Sequence, residues 1–102
     1  MALNITGNIV LDNGISINSM YCRTDAELAV NGNIVCALPY FYASKEAYVN
    51  GKAQIRPDFI NTLDVFTPYD RATETSDILQ FSNEYMKFLM ESKGLTATII
   101  DL

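Results

Sequence analysis

Histidine and tryptophan are both missing from this 102-residue chain. Without histidine, the commonest general base and the commonest metal ligand are gone together. Cysteine is scarce. Cys22 and Cys36 stand alone, with no C-x-x-C spacing to hold zinc or run a redox cycle. Five glycines are scattered along the chain, so there is no Gly-rich loop to cradle a phosphate. Positive charge is thin: seven Lys plus Arg face twelve Asp plus Glu, and the net charge is −5. No basic run exists for a nucleic-acid backbone to contact. No apolar run approaches the length of a membrane span. Met1 to Val10 lacks the basic start of a signal peptide.

These absences set the first expectations. They are no catalytic residue, no cofactor, no metal, no nucleic-acid partner and no membrane partner. The cysteines are expected to be reduced and buried. The acids fit no known constellation. Asp25 and Glu27 share one strand face and read as a solvated edge. Asp58, Asp64 and Asp70 are spaced too irregularly for a calcium loop. Ser16, Ser19 and Ser44 have no histidine to activate them. Lys45-Glu46 reads as an exposed charged turn rather than a lysine base with its acid.

What is present suits a folded domain: 49% of residues are hydrophobic and 19% charged. The length predicts a single domain over residues 1–102. Asn-Gly recurs at Asn13-Gly14, Asn31-Gly32 and Asn50-Gly51, each time between β-type runs. Leu3, Ile5, Ile9 and Leu11 alternate with Asn4, Thr6, Asn8 and Val10 in the first of these runs. A loop of Asp12-Asn13-Gly14 pairs Leu11 with Ile15 and Ile9 with Ile17, with Gly14 in the left-handed position. The same register sets Ile5 opposite Tyr21. A second hairpin is expected from Ala26 to Tyr42, turning at Asn31-Gly32. Its return arm is apolar on both faces, with Ile34, Cys36, Leu38 and Tyr40 on one and Val35, Ala37 and Phe41 on the other. Pro39 marks a bulge or an edge stretch within it.

Ser44 can cap one helical turn, Lys45 to Val49, that stops at Asn50-Gly51. The chain then reads extended, with Thr62 to Thr67 as the best strand and Pro68 ending it. From Ile78 the period changes to that of a helix. Ile78, Phe81, Tyr85 and Phe88-Leu89 form the stripe, with Leu79, Met86 and Met90 widening it. Thr75 or Ser76 can cap this helix, which spans about 76–93 before Gly94. Leu95 to Ile100 can return as an edge strand. The expected fold class is α+β, with antiparallel β-hairpins forming a sheet or small sandwich and one late amphipathic helix.

The aromatics leave three readings open. Tyr40, Phe41 and Tyr42 are consecutive, Tyr48 follows, and Phe59, Phe66 and Tyr69 lie in the irregular middle. They can serve as core, as anchors for a protein partner, or as a stacking platform for a sugar or base. Ile55 to Tyr69 holds more large apolar residues than a domain of this size is expected to bury. Tyr48, Phe59, Phe66 and Tyr69 are therefore the candidate partner-interface residues.

The run Tyr40-Phe41-Tyr42-Ala43-Ser44-Lys45-Glu46-Ala47-Tyr48-Val49-Asn50-Gly51-Lys52 resembles a pattern in small structural proteins of tailed bacteriophages. Asp12-Asn13-Gly14 and the late helix around Tyr85-Met86-Lys87-Phe88-Leu89 match the same pattern in order. The resemblance is greatest to the small auxiliary capsid proteins of crAss-like phages, then to small tail or baseplate components. It implies a non-enzymatic virion protein, made in the host cytoplasm. It also implies many copies bound to other virion proteins, the major capsid protein or tail components. Gln54 to Thr75 is longer and more aromatic than in that pattern, and subunit-specific contacts are expected there. From the residues themselves, a monomeric glycan- or peptide-binding β module using Tyr40, Tyr42 and Tyr48 is the alternative.

Overall fold

A computed structural model of the chain describes residues 1–29, 33–70, 73–74 and 77–101. Five strands form one antiparallel sheet. They are β1 (Ala2–Val10), β2 (Ser16–Leu28), β3 (Ile34–Tyr42), β4 (Phe66–Pro68) and β5 (Thr96–Ile100). Their spatial order is β4-β3-β2-β1-β5. Among the described residues two α-helices complete the fold, α1 (Lys45–Val49) and α2 (Ile78–Ser92). The class is α+β, as expected.

The first hairpin closes as its turn chemistry requires. Leu11 donates its N–H to Ile15 O and Gly14 donates to Leu11 O, at 2.8 and 2.9 Å. Gly14 sits at φ +87°, where side-chain-bearing residues are strained. Ile9 pairs with Ile17. Further along, one expectation is corrected: Ile5 lies opposite Met20, and Tyr21 faces Asn4. The register slips between Thr6 and Ile9, where Gly7 adopts φ +136°. An extra residue in one strand moves every later pair by one and exchanges the faces. Leu3 and Ile5 therefore share their face with Met20 and Cys22, while Tyr21 goes to the opposite face.

In the second hairpin, Leu28 pairs with Val35 and Tyr21 with Tyr42. Its Asn31-Gly32 turn lies outside the described residues. The two apolar faces of β3 follow the expected alternation. Val35, Ala37 and Phe41 are buried, and the other set faces outward on the sheet's second side. Thr24 pairs with Pro39 in unbroken register, so Pro39 makes no bulge. Ala37 donates its N–H outward to Val65 O at 2.8 Å. Two residues on, the Pro39 nitrogen faces that same outer side, beyond the end of β4. Pro39 thus occupies an edge stretch.

The strand expected over Thr62 to Thr67 is also corrected. Ile60–Thr62 is a 3-10 turn, and β4 comprises Phe66–Pro68 only. Thr62 donates its N–H to Phe59 O at 3.0 Å and its hydroxyl to the same oxygen at 2.9 Å. That backbone closes on itself and is lost to the β3 ladder.

Asp77 caps α2, accepting the Gln80 N–H at 2.8 Å. Thr75 and Ser76, the expected caps, lie outside the described residues. The buried residues of α2 are Ser82, Asn83, Met86, Leu89 and Met90, so Leu89, Met86 and Met90 of the expected stripe are buried while its aromatics are turned away from the centre. The aromatics have other partners. Phe81 meets Tyr69 edge to face at 4.9 Å, and the Tyr85 hydroxyl donates to Asp64 O at 2.6 Å. Both contacts tie the irregular middle to the helix. One helix is narrower than five strands, so Ile55, Phe59, Ile60 and Leu63 pack against the core beside it. The core itself joins Leu3, Ile5, Ile9, Met20, Cys22 and Phe41 to Met86, Leu89 and Met90.

Candidate interaction surface

α2 and the middle segment cover one side of the sheet. The other side is built from alternate residues of β2 and β3. Tyr21 opposes Tyr42, Arg23 opposes Tyr40, Asp25 opposes Leu38 and Glu27 opposes Cys36. Beyond them, Cys36 opposes Phe66 and Ile34 opposes Pro68. The surface is therefore tyrosine-rich around Arg23 at the α1 end and apolar at the β4 end.

Among the described residues, α1 is the only helix on this side. Its short run exists because Ser44 accepts the Ala47 N–H at 3.0 Å and Gly51 exits at φ +70°. It delivers Tyr48 onto the sheet. The Tyr48 ring lies 5.0 Å from Tyr42, near edge-on, and 5.9 Å from Tyr21. The Arg23 guanidinium caps the Tyr48 face at 4.9 Å.

A polar chain locks this cluster. Arg23 Nη1 donates to the Tyr21 hydroxyl at 3.4 Å. That hydroxyl donates to Asp101 Oδ2 at 2.9 Å. Lys45 Nζ donates to Asp101 Oδ1 at 2.8 Å. Asp101 follows β5 at φ +56°, a left-handed position that Asp tolerates better than most residues. Lys45 and then Tyr21 hold the Asp101 carboxyl below its ordinary range. Asp101 in turn raises Lys45. Burial raises the Tyr21 phenol; Arg23 pulls it down and Asp101 pushes it up again.

Two shallow hollows flank α1. One, of about 310 Å³, is lined by Arg23, Asp25, Tyr40, Tyr42, Tyr48 and Gln54. The other, of about 380 Å³, includes Asn4, Thr6, Ser19 and Lys45. Ser44 also lines the second hollow, where its hydroxyl accepts the Ala47 N–H. Burial pushes the Cys22 thiol up to about 12, and Cys22 lies under the helix rather than on this face. Cys36 lies on the open face, where burial and then Glu27 raise its thiol. Both cysteines are free, and they stand on opposite sides of the sheet. Among the described residues, no three His, Cys, Asp or Glu side chains converge to hold a metal.

The four expected interface aromatics are not brought together. Phe66 is the exposed one, with 59% of its surface open. Tyr48 is half-buried in the tyrosine cluster. Phe59 packs against the core, with Lys93 Nζ 5.8 Å from its ring centre. Tyr69 is buried against Phe81. The last two close the gap beside α2, which no helix fills. Sequence reasoning missed Tyr21, Arg23 and Asp101. The Gly7 bulge turns Tyr21 outward, and Asp101 is distant from the others in sequence. It also missed Phe88, which is 63% exposed. Compared with known protein families, with curated proteins and with solved structures, the chain matched none.

Proposed function

We propose that this protein is a non-enzymatic structural subunit of a tailed-phage virion, an auxiliary capsid protein bound in many copies to the major capsid protein. The observation that carries the docking reading is the apolar end of the open sheet face. Phe66 stands exposed beside Cys36, with Ile34, 39% exposed, two residues back along β3 on the same face. An aromatic ring left in water on a flat sheet is a natural anchor for a partner pocket. Weak contacts of this kind become strong when many copies sit on one lattice. The virion assignment itself rests on the resemblance of Tyr40 to Lys52, the Asp12-Asn13-Gly14 hairpin and the late helix. A small tail or baseplate component is the neighbouring reading.

Mass spectrometry of purified particles tests the assignment: the protein is expected there at high, fixed stoichiometry. Phe66→Ala tests the anchor. The variant is expected to keep its circular dichroism and to lose about 1 kcal/mol or more of particle binding per subunit in co-sedimentation. Unchanged co-sedimentation would remove Phe66 from the interface. A glycan- or peptide-binding module is the second reading. It is favoured by the hollow where Tyr40, Tyr42 and Tyr48 meet Arg23, Asp25 and Gln54. Saturable glycan or peptide binding, abolished by Tyr40→Ala, is its signature.

A further inference from the structure

The outer edge of β5 lies on the far side of the molecule from Phe66, at the opposite end of the sheet. β5 pairs with β1 from Ala2↔Ile100 to Thr6↔Thr96, and no strand among the described residues pairs its other side. Exposed edges are usually blunted by proline, by lysine, by a bulge or by extreme shortness. Thr-Ala-Thr-Ile-Ile has no proline and no charge, and its register with β1 is unbroken. At the sheet's other edge, by contrast, β4 is short and contains Pro68.

The helix supplies a second component. Glu84, Lys87, Phe88 and Glu91 recur at helical spacing and form one wall of an open groove of about 520 Å³. Ala97, Thr98 and Ile99 form the other wall. Phe88 stands in this groove, 63% exposed. Around it the charges are mixed: Lys87 lies between Glu84 and Glu91 along the helix, and it pairs weakly with Glu91 at 3.5 Å.

We propose that a second copy of this chain covers this edge, β5 against β5 in antiparallel fashion, making a continuous two-fold sheet. The geometry is self-complementary. A two-fold axis perpendicular to the sheet keeps both copies of α2 on the same side. Pairing centred on Thr98 sets Ala97 opposite Ile99 of the second copy, on the helix side. It draws the two Phe88 rings together over the seam. The charge pattern selects a copy of this chain over an unrelated partner. With the helices antiparallel, Lys87 of each copy meets Glu84 or Glu91 of the other, so the acid-base-acid order neutralises itself. The strand supplies main-chain hydrogen bonds, and Phe88 supplies the buried anchor.

The test is the mass of the full chain in solution by light scattering and analytical ultracentrifugation, across a concentration series. The expected result is a species of twice 11.4 kDa. Amide exchange over Thr96–Ile100 is expected to slow as concentration rises. Phe88→Lys and Thr98→Lys each alter an exposed side chain, and both are expected to give monomers with unchanged circular dichroism. Phe66→Ala is expected to leave the dimer intact, so a failure here is separable from a failure of the proposed docking face. A wild type that stays monomeric through about 100 µM, the range of a weak interface, overturns the proposal. So does a dimer that survives both lysine substitutions. Monomers that gain β5 protection only on adding other virion proteins overturn it too, in favour of a different strand partner.

Discussion

At the scale of single residues, two glycines show how backbone freedom is spent. Gly14 and Gly7 both hold positive φ, but their surroundings differ. A Cβ on Gly14 would meet nothing within 4 Å, so substitution there costs backbone strain alone. Gly14→Val is expected to lower stability by about 1–3 kcal/mol, and Gly14→Asn by less. A Cβ on Gly7 would sit 2.8 Å from Leu95 Cδ2, in addition to the strain of φ +136°. Gly7→Ala is therefore expected to cost about 2–4 kcal/mol, more than Gly14→Ala, in urea denaturation. An inverted order would mean that the Leu95 side chain moves aside at little cost. The thiols diverge in the same way. Cys36, half-exposed on the open face, is expected to alkylate in the native protein, and Cys22 only on unfolding. Intact mass after native and denaturing alkylation reads both.

At the scale of elements, the small helix α1 depends on a tether that is distant in sequence. Lys45 reaches Asp101, and Tyr21 reaches the same carboxylate. The sign of the pH dependence follows. Asp101 is held below its ordinary range, so its ionised form is the one bound in the folded state. The tether is fully present above the ordinary carboxylate pKa and is lost as pH falls below about 4. Lys45 is raised, so its share is present through neutral pH and is lost only on strongly alkaline titration. The protection of the Lys45–Val49 amides, relative to the unfolded chain at the same pH, is expected to fall below about pH 4, and Asp101→Asn is expected to bring the same loss of protection at pH 7. At the head of α2, Asp77 caps the Gln80 N–H, and Asp77→Ala is expected to cost about 1 kcal/mol in thermal or chemical denaturation.

At the scale of the whole molecule, the fold has two unlike sides and two unlike edges. One side of the sheet is closed by α2 and by the irregular middle. The other carries α1 alone among the described residues, and its apolar end is exposed at Phe66 and Ile34. One sheet edge is the short, proline-bearing β4, and the other is the uncharged β5. A lattice subunit of the kind proposed needs a surface for its neighbour and a surface for its host, and these two features are the candidates for them. The assignments separate in a double experiment. Phe66→Ala is expected to reduce particle binding without changing solution mass, and Phe88→Lys to change solution mass. A Phe66→Ala chain that unfolds would place Phe66 in the core and direct the search to Tyr40, Tyr42 and Tyr48.

The local chemistry of the chain was decided by its sequence. Alternation, Asn13-Gly14, Ser44 and Gly94 act within a few residues, so the first turn, α1, α2 and the edge strand β5 could be read from them. The same holds for the α+β class. What the tertiary structure decided was everything that depends on where chain-distant groups meet. The bulge at Gly7 was hidden, because a one-residue slip leaves the alternation of each strand intact while exchanging its partners. It moved Tyr21 to the open face. The turning of the α2 aromatics away from the centre was hidden too: they matched a buried stripe, yet Phe81 and Tyr85 were taken by Tyr69 and the backbone of Asp64, and Phe88 was left in water. For the same reason the middle segment supplied one exposed anchor instead of several. Five strands are wider than one helix, and apolar chain near the uncovered part of the core is drawn in before it can serve a partner.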